Sequence, residues 1–155
     1  MTLSRRTFVV GAMSALSVAA CRAKSDAPGA EPPVGPLLSP ADLAARLSDV
    51  AAGKMVVFYV GPDALFAKGH VPGARKLPAL DGEGGGDALT KALASVPAAT
   101  DIVLYCGCCP VRNCPNVRPA SAALRASGRS NAHVLDLPTR FTTDWVDKGF
   151  AVERG

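Results

Sequence analysis

The sequence predicts an α/β domain with a mainly parallel central sheet flanked by helices. Two observations carry that expectation. Three short apolar runs rich in β-forming residues are bounded by Gly, Pro and polar residues, and helical patterns alternate with them along the chain. The runs are continuously apolar rather than alternating, as strands covered on both faces require.

The elements can be justified in order from Ser39. Ser39 and Pro40 supply an N-cap and a first-turn proline, and Leu43, Leu47 and Val50 recur on one face of "ADLAARLSDVAAG" up to Gly53, so a helix is expected there. "MVVFYV", Met55 to Val60, reads as the first buried strand, "DIVLYC", Asp101 to Cys106, as the second, and "HVLDL", His133 to Leu137, as the third. Helices are expected over Ala88 to Val96, over Pro119 to Ser127 ending at Gly128, and over Thr142 to Lys148 ending at Gly149. "DGEGGGD", Asp81 to Asp87, neither follows a strand nor opens a helix at phosphate-loop spacing, and is expected to be a flexible loop.

The chain ahead of this domain reads differently. Ser4-Arg5-Arg6-Thr7-Phe8-Val9-Val10 resembles a twin-arginine export signal, and the apolar run from Phe8 to Ala20 is short for a bilayer span. Val18-Ala19-Ala20-Cys21 resembles a bacterial lipobox, which implies cleavage before Cys21 and a lipid on that thiol. Residues 1–20 are therefore expected to be a signal peptide, 21–38 an Ala/Pro/Gly-rich tether, and 39–155 the domain, lipid-anchored in the periplasm or cell envelope. An uncleaved anchor and a secreted form without lipid are the alternatives, and both also place the domain outside the cytoplasm.

Composition excludes more than it assigns. The 155 residues carry 17 Lys and Arg against 13 Asp and Glu, a net charge of +4, and only 5% are aromatic, with the basic residues scattered. No nucleic-acid surface is expected from such a distribution, and no cofactor is implied. The one dense signal is "LYCGCCPVRNCPNVRPASAAL", Leu104 to Leu124, which holds four of the five cysteines. Cys106 ends a buried strand and a helix opens some residues later. Strand carboxyl ends and helix N-termini are where α/β folds bind anions, so a thiol there is expected to be an activated thiolate that can hold sulfur as a persulfide.

Several stretches together resemble the rhodanese family of sulfurtransferases. "FAKGHVPGARKLP", Phe66 to Pro78, is similar to its Gly-His-hydrophobic-Pro-Gly-Ala turn after the first core strand. "IVLYC", Ile102 to Cys106, is similar to the strand that delivers its catalytic cysteine, and "RPASAALRASG", Arg118 to Gly128, to the Arg-led helix after its active loop. "DWVDKGFAVE", Asp144 to Glu153, resembles its C-terminal helix and ending. The resemblance implies a rhodanese-like domain in which Cys106 takes sulfane sulfur from a small sulfur-containing anion such as thiosulfate. The sulfur then goes to a thiol acceptor or redox partner protein. The Gly107 to Val117 amides and Arg118 would hold the anion.

The loop departs from that family. Arg118 lies twelve positions after Cys106, where the family places its arginine about five after, so the loop is enlarged. Cys106-x5-Arg112 matches the spacing of phosphatase and arsenate-reductase loops, although Asn113 replaces the usual Ser or Thr and Pro115 prevents a helix from starting behind it. Cys108, Cys109 and Cys114 have three readings: resolving thiols for a Cys106 persulfide, ligands for copper or zinc in a binding module, or a structural staple. Cys114 is the expected resolving thiol, because the adjacent Cys108 and Cys109 would form a strained pair. His70 is expected to fix its turn, His133 to be scaffold, and Trp145 to pack its helix onto the sheet.

Overall fold

The computed structural model describes residues 34–80 and 85–155. The twin-arginine stretch, Cys21 and the tether up to residue 33 lie outside the described residues, as do residues 81–84 of the glycine run. Among the described residues no helix is long and apolar enough to cross a membrane.

Five strands form one sheet: β1 (Leu37–Leu38), β2 (Met55–Tyr59), β3 (Arg75–Lys76), β4 (Asp101–Tyr105) and β5 (Ala132–Leu135). Their spatial order is β1-β5-β4-β2-β3, and every ladder is parallel. The three strands expected from apolar runs are thus its three central ones. β2 and β4 pair along their whole length, Met55 opposite Asp101 through Tyr59 opposite Tyr105.

The folded chain begins earlier than the expected boundary at Ser39. Leu37 and Leu38 pair with Val134 and Leu135, and the Ser121 hydroxyl donates to the Val34 carbonyl at 2.5 Å. Two strand residues are too few to show a period, so composition alone assigned them to the tether. The first expected helix is two, α1 (Pro40–Ala45) and α2 (Leu47–Ala51), broken at Arg46. Arg46 reaches across to the start of β4, its Nη2 2.6 Å from Asp101 Oδ2, while its Nε donates to Asp49 at 3.2 Å. A short helix, α3 (Asp63–Lys68), precedes the Gly69-His70 turn. The next helix, α4 (Gly85–Ala94), starts inside the glycine run, and α5 spans Val117–Ala126. The last expected helix is a π-helix, Thr142–Val146, whose entry is held by the Asp144 carboxylate accepting from the amides of Thr139 and Arg140.

Period-2 alternation sends successive residues of β2 and β4 to opposite faces. Val56, Phe58, Ile102 and Leu104 pack with Leu89, Leu93, Ala120 and Leu124 of α4 and α5. Met55, Val57, Tyr59, Val103 and Tyr105 pack with Leu43, Phe141 and Trp145 on the other side. Trp145 is fully buried and its indole N–H donates to the Ala151 carbonyl at 2.8 Å. His70 stacks on Phe66 with ring centroids 3.7 Å apart and its Nδ1 lies 2.9 Å from the Phe66 carbonyl, so it fixes the turn.

Candidate functional site

Cys106 is the first residue beyond β4, at the carboxyl end of the sheet's central strand. The Tyr105 carbonyl still accepts from the Val60 amide at 2.9 Å, which fixes the backbone leading into the thiol. Gly107 follows in the left-handed region at φ +81°, and a Cβ there would sit 2.8 Å from the Phe141 Cβ, so only glycine fits. Gly61 is equally confined. A Cβ on it would lie 2.5 Å from the Tyr59 hydroxyl and 2.8 Å from the Cys106 sulfur, so phenol and thiol flank one bare backbone position.

The enlarged loop folds back onto the thiol. Pro110 leads into a 3-10 turn at Val111–Asn113, and the Val111 amide donates to the Leu137 carbonyl at 2.9 Å. The turn returns Cys114 to the strand end, where α5 begins three residues later. Arg118 closes the loop, its Nε donating to the Arg112 carbonyl at 2.9 Å. Four sulfurs meet as a result. Cys106 and Cys108 Sγ are 3.1 Å apart, Cys108 and Cys109 Sγ are 3.2 Å apart, and the Asn116 amide nitrogen is 3.9 Å from Cys106 Sγ. The Sγ atoms of Cys106, Cys108 and Cys114 all lie within 4.8 Å of one another, close enough to bridge or to hold a soft metal ion.

The charge does not settle where the sequence suggests. Cys106 is pushed strongly up, first by its hydrogen bond with Cys114, then by burial and by Cys108, with the Cys108 amide opposing. Cys114 is lowered to about 5, first by the Cys106 thiol donating to it, with burial opposing and the amides of Val117 and Asn116 adding. Cys109 is pushed up to about 12 by burial and its contacts with Cys108 and Cys114. The charge of the pair therefore favours Cys114, first because the Cys106 thiol donates to it and then because the amides of Val117 and Asn116 point at the same sulfur. Cys106 is the proton donor of the pair.

Cys106 and Gly107 also open onto a cavity of about 230 Å³ on the other side of the strand end. Tyr59, Leu65, Phe141, Val146 and Val152 form its apolar wall, and Lys68 and Arg154 are the cations among its lining residues. Burial raises the Tyr59 phenol, which stays neutral and donates to the Pro62 carbonyl at 3.0 Å. The two arginines expected to bind the anion are elsewhere: Arg112 is exposed on the 3-10 turn, Arg118 is half-buried beneath it, and the cavity lining includes neither. Lys68 and Arg154 were not legible as site residues. They lie 86 positions apart in sequence, and what joins them is a bridge between His70 and Glu153 that no local pattern announces.

Comparison with solved structures settles the architecture. The chain superposes on the rhodanese-like domain of an Anabaena sp. protein with a TM-score of 0.54 and 22% identity, over 77% of this chain and 80% of that one. The fold is that of a rhodanese-like domain. A rhodanese-related protein from Thermoplasma volcanium matches at TM-score 0.52 and 13% identity, over 77% of this chain and 99% of that one. A Bacillus halodurans protein matches at 0.57 and 19%, over 77% of each. No protein-family model matches the sequence. No curated protein matches it either. Within this fold Cys106 stands at the carboxyl end of the central strand, and the loop behind it carries the other three thiols of the cluster.

Proposed function

We propose that this rhodanese-like domain moves sulfane sulfur through a Cys106 persulfide and that Cys114 resolves it. The observation that carries the reading is the pairing of Cys106 with a depressed thiol at the start of α5, beside a cavity open to Cys106. In the first step Cys106 attacks the outer sulfur of a donor such as thiosulfate. Its proton passes to the Cys114 thiolate, a sulfur–sulfur bond forms on Cys106, and sulfite leaves with the electron pair. Amides of Cys108, Asn116 and Val117 hold the anionic charge through the exchange. In the second step Cys114 attacks Cys106 Sγ, its proton goes to the departing sulfur, hydrosulfide leaves, and a Cys106–Cys114 disulfide remains for an external dithiol partner to reduce. Arg118 supports the anion site by holding the loop closed.

Thiosulfate added to reduced protein is expected to release sulfide and remove two free thiols, read by intact mass and thiol titration. If neither sulfite nor sulfide appears and all four loop thiols stay free, the reading fails. The cluster of three sulfurs within 4.8 Å favours a second reading, a copper or zinc site. One equivalent of tightly bound metal with no sulfur adduct would put that reading in place of the first. From the twin-arginine and lipobox stretches we propose that the domain works outside the inner membrane, anchored by lipid at Cys21. Cys21→Ser is expected to shift it from the membrane to the soluble fraction. Wild type that fractionates as soluble would remove the anchor.

A further inference from the structure

Resting on the sulfur-transfer reading, we propose that the cavity beside Cys106 selects a carbon-bearing sulfane-sulfur donor with a carboxylate, and that Lys68 and Arg154 read the carboxylate. The positions of these two cations follow from the backbone. The His70 amide donates to the Glu153 carbonyl at 2.9 Å and the Glu153 amide to the His70 carbonyl at 3.0 Å, an isolated antiparallel bridge. Alternation along the extended segment places Glu153 on one side and Val152 and Arg154 on the other. Glu153 is used up there: its carboxylate accepts from the Gly73 amide at 2.7 Å and lies 3.8 Å from His70 Nε2. Val152 and Arg154 both line the cavity, and Lys68, the last residue of α3, joins them two residues before the bridge.

The result is a rim of two like charges with no carboxylate among the residues lining the cavity. Among the described residues neither Lys68 nor Arg154 forms an ion pair. Two cations lining one cavity without a counter-charge among its residues favour an anion that arrives with the ligand. Apart from Thr142 and two glycines, the residues that line the cavity with Cys106 and the two cations are Tyr59, Leu65, Phe141, Val146 and Val152, so a ligand that reaches from the cations to Cys106 meets carbon on the way. Thiosulfate offers charge and sulfur but nothing for the wall. A donor with sulfane sulfur at one end, a short carbon chain and a carboxylate at the other matches all three parts. With a thiosulfonate, Cys106 bonds to the outer sulfur, the bond between that sulfur and the oxidised sulfur breaks, and a sulfinate leaves with the electron pair. The thiol proton goes by way of Cys114 to the transferred sulfur.

The test compares 2-carboxyethanethiosulfonate with propanethiosulfonate, which differ only in the carboxylate. Sulfur loading on Cys106 is followed by intact mass and sulfinate release. The ratio of kcat/KM for the two donors is expected to be about tenfold in favour of the carboxylate, from two exposed charge pairs acting together. It should fall to about one in the Lys68→Met/Arg154→Met protein and return in large part in Lys68→Arg. A ratio near one in wild type, or a wild-type ratio that survives the double substitution, overturns the proposal. If no donor loads Cys106, the sulfur-transfer reading fails separately. Calorimetric binding of 3-sulfinopropanoate then decides the pocket: affinity lost in the double variant supports it, and equal or absent affinity in both proteins overturns it.

Discussion

The two faces of the sheet end in different materials around one sulfur atom. On the face covered by α4 and α5 the apolar core of Val56, Phe58, Ile102 and Leu104 runs without a break into Cys106, Val111, Cys114 and Val117. On the opposite face Tyr59, Tyr105, Phe141 and Trp145 stack in a chain with ring centroids 5.2 to 5.8 Å apart, and the packing there stops short, leaving the cavity. One face is filled and holds thiols against each other. The other holds space. Cys106 belongs to the first by alternation and lines the second by position, so the proposed sulfur transfer puts proton handling and donor recognition on opposite sides of a single strand end.

The largest effect that would break this comparison is loss of the shared residue. Cys106→Ser is expected to reduce sulfur transfer by roughly a thousandfold or more while stability changes by about 1 kcal/mol or less, since the hydroxyl fits the same space. Activity measured with thiosulfate and a urea melt check both parts. Retained transfer would remove Cys106 from the mechanism. Gly107→Ala disturbs the seam between the faces. The left-handed backbone and the 2.8 Å approach to Phe141 are expected to cost roughly 2–4 kcal/mol in chemical unfolding. A melt within about 0.5 kcal/mol of wild type would show that the seam is loose.

Cys114→Ser touches only the filled face. Sulfide release is expected to fall roughly a hundredfold, with the extra sulfur retained on Cys106 in the intact mass. The smallest effect is one of pH. With Cys114 lowered to about 5, loading of Cys106 should be level from near neutrality upward and decline below that value. An unassisted thiol would instead keep accelerating toward its ordinary pKa of about 8.5. The same depression links to stability. Between the ordinary thiol pKa and about 5 the unfolded chain binds a proton that folded Cys114 does not, so stability falls as pH falls through that window. The loss is on the order of a few kcal/mol at most, and Cys114→Ser should flatten it. An equally steep wild type and variant would place the thiolate elsewhere.

The comparison also shows which features a sequence exposes. β2, β4 and β5 were legible because burial on both faces leaves a run of apolar residues that only one kind of strand needs. β1 and β3, two residues each, carry no period, and the break at Arg46 depends on Asp101, 55 residues on. Within the site, cysteine density pointed to the loop whose Cys106, Cys108 and Cys114 sulfurs lie within 4.8 Å of one another. Which sulfur receives the amides of α5 was not legible, because it depends on the 3-10 turn that reverses the loop and brings Cys114, rather than Cys106, to the helix start. The open face was less visible still. Tyr59 and Phe141 read as core, Lys68 and Arg154 as ordinary surface charge, and only the pairing of His70 with Glu153 joins them at one rim.

The filled face has a kinetic consequence. The gap enclosed by Cys106, Cys109, Cys114, Val111 and Leu137 is too small to admit a water molecule, and Cys114 itself is 1% exposed. That sulfur offers almost no surface to a buffer ion in solution. In the proposed mechanism the proton that Cys114 carries comes from Cys106 and leaves on the departing sulfur, so raising buffer concentration at fixed pH and ionic strength is expected to leave the resolving step unhurried. Its clock is set inside the protein.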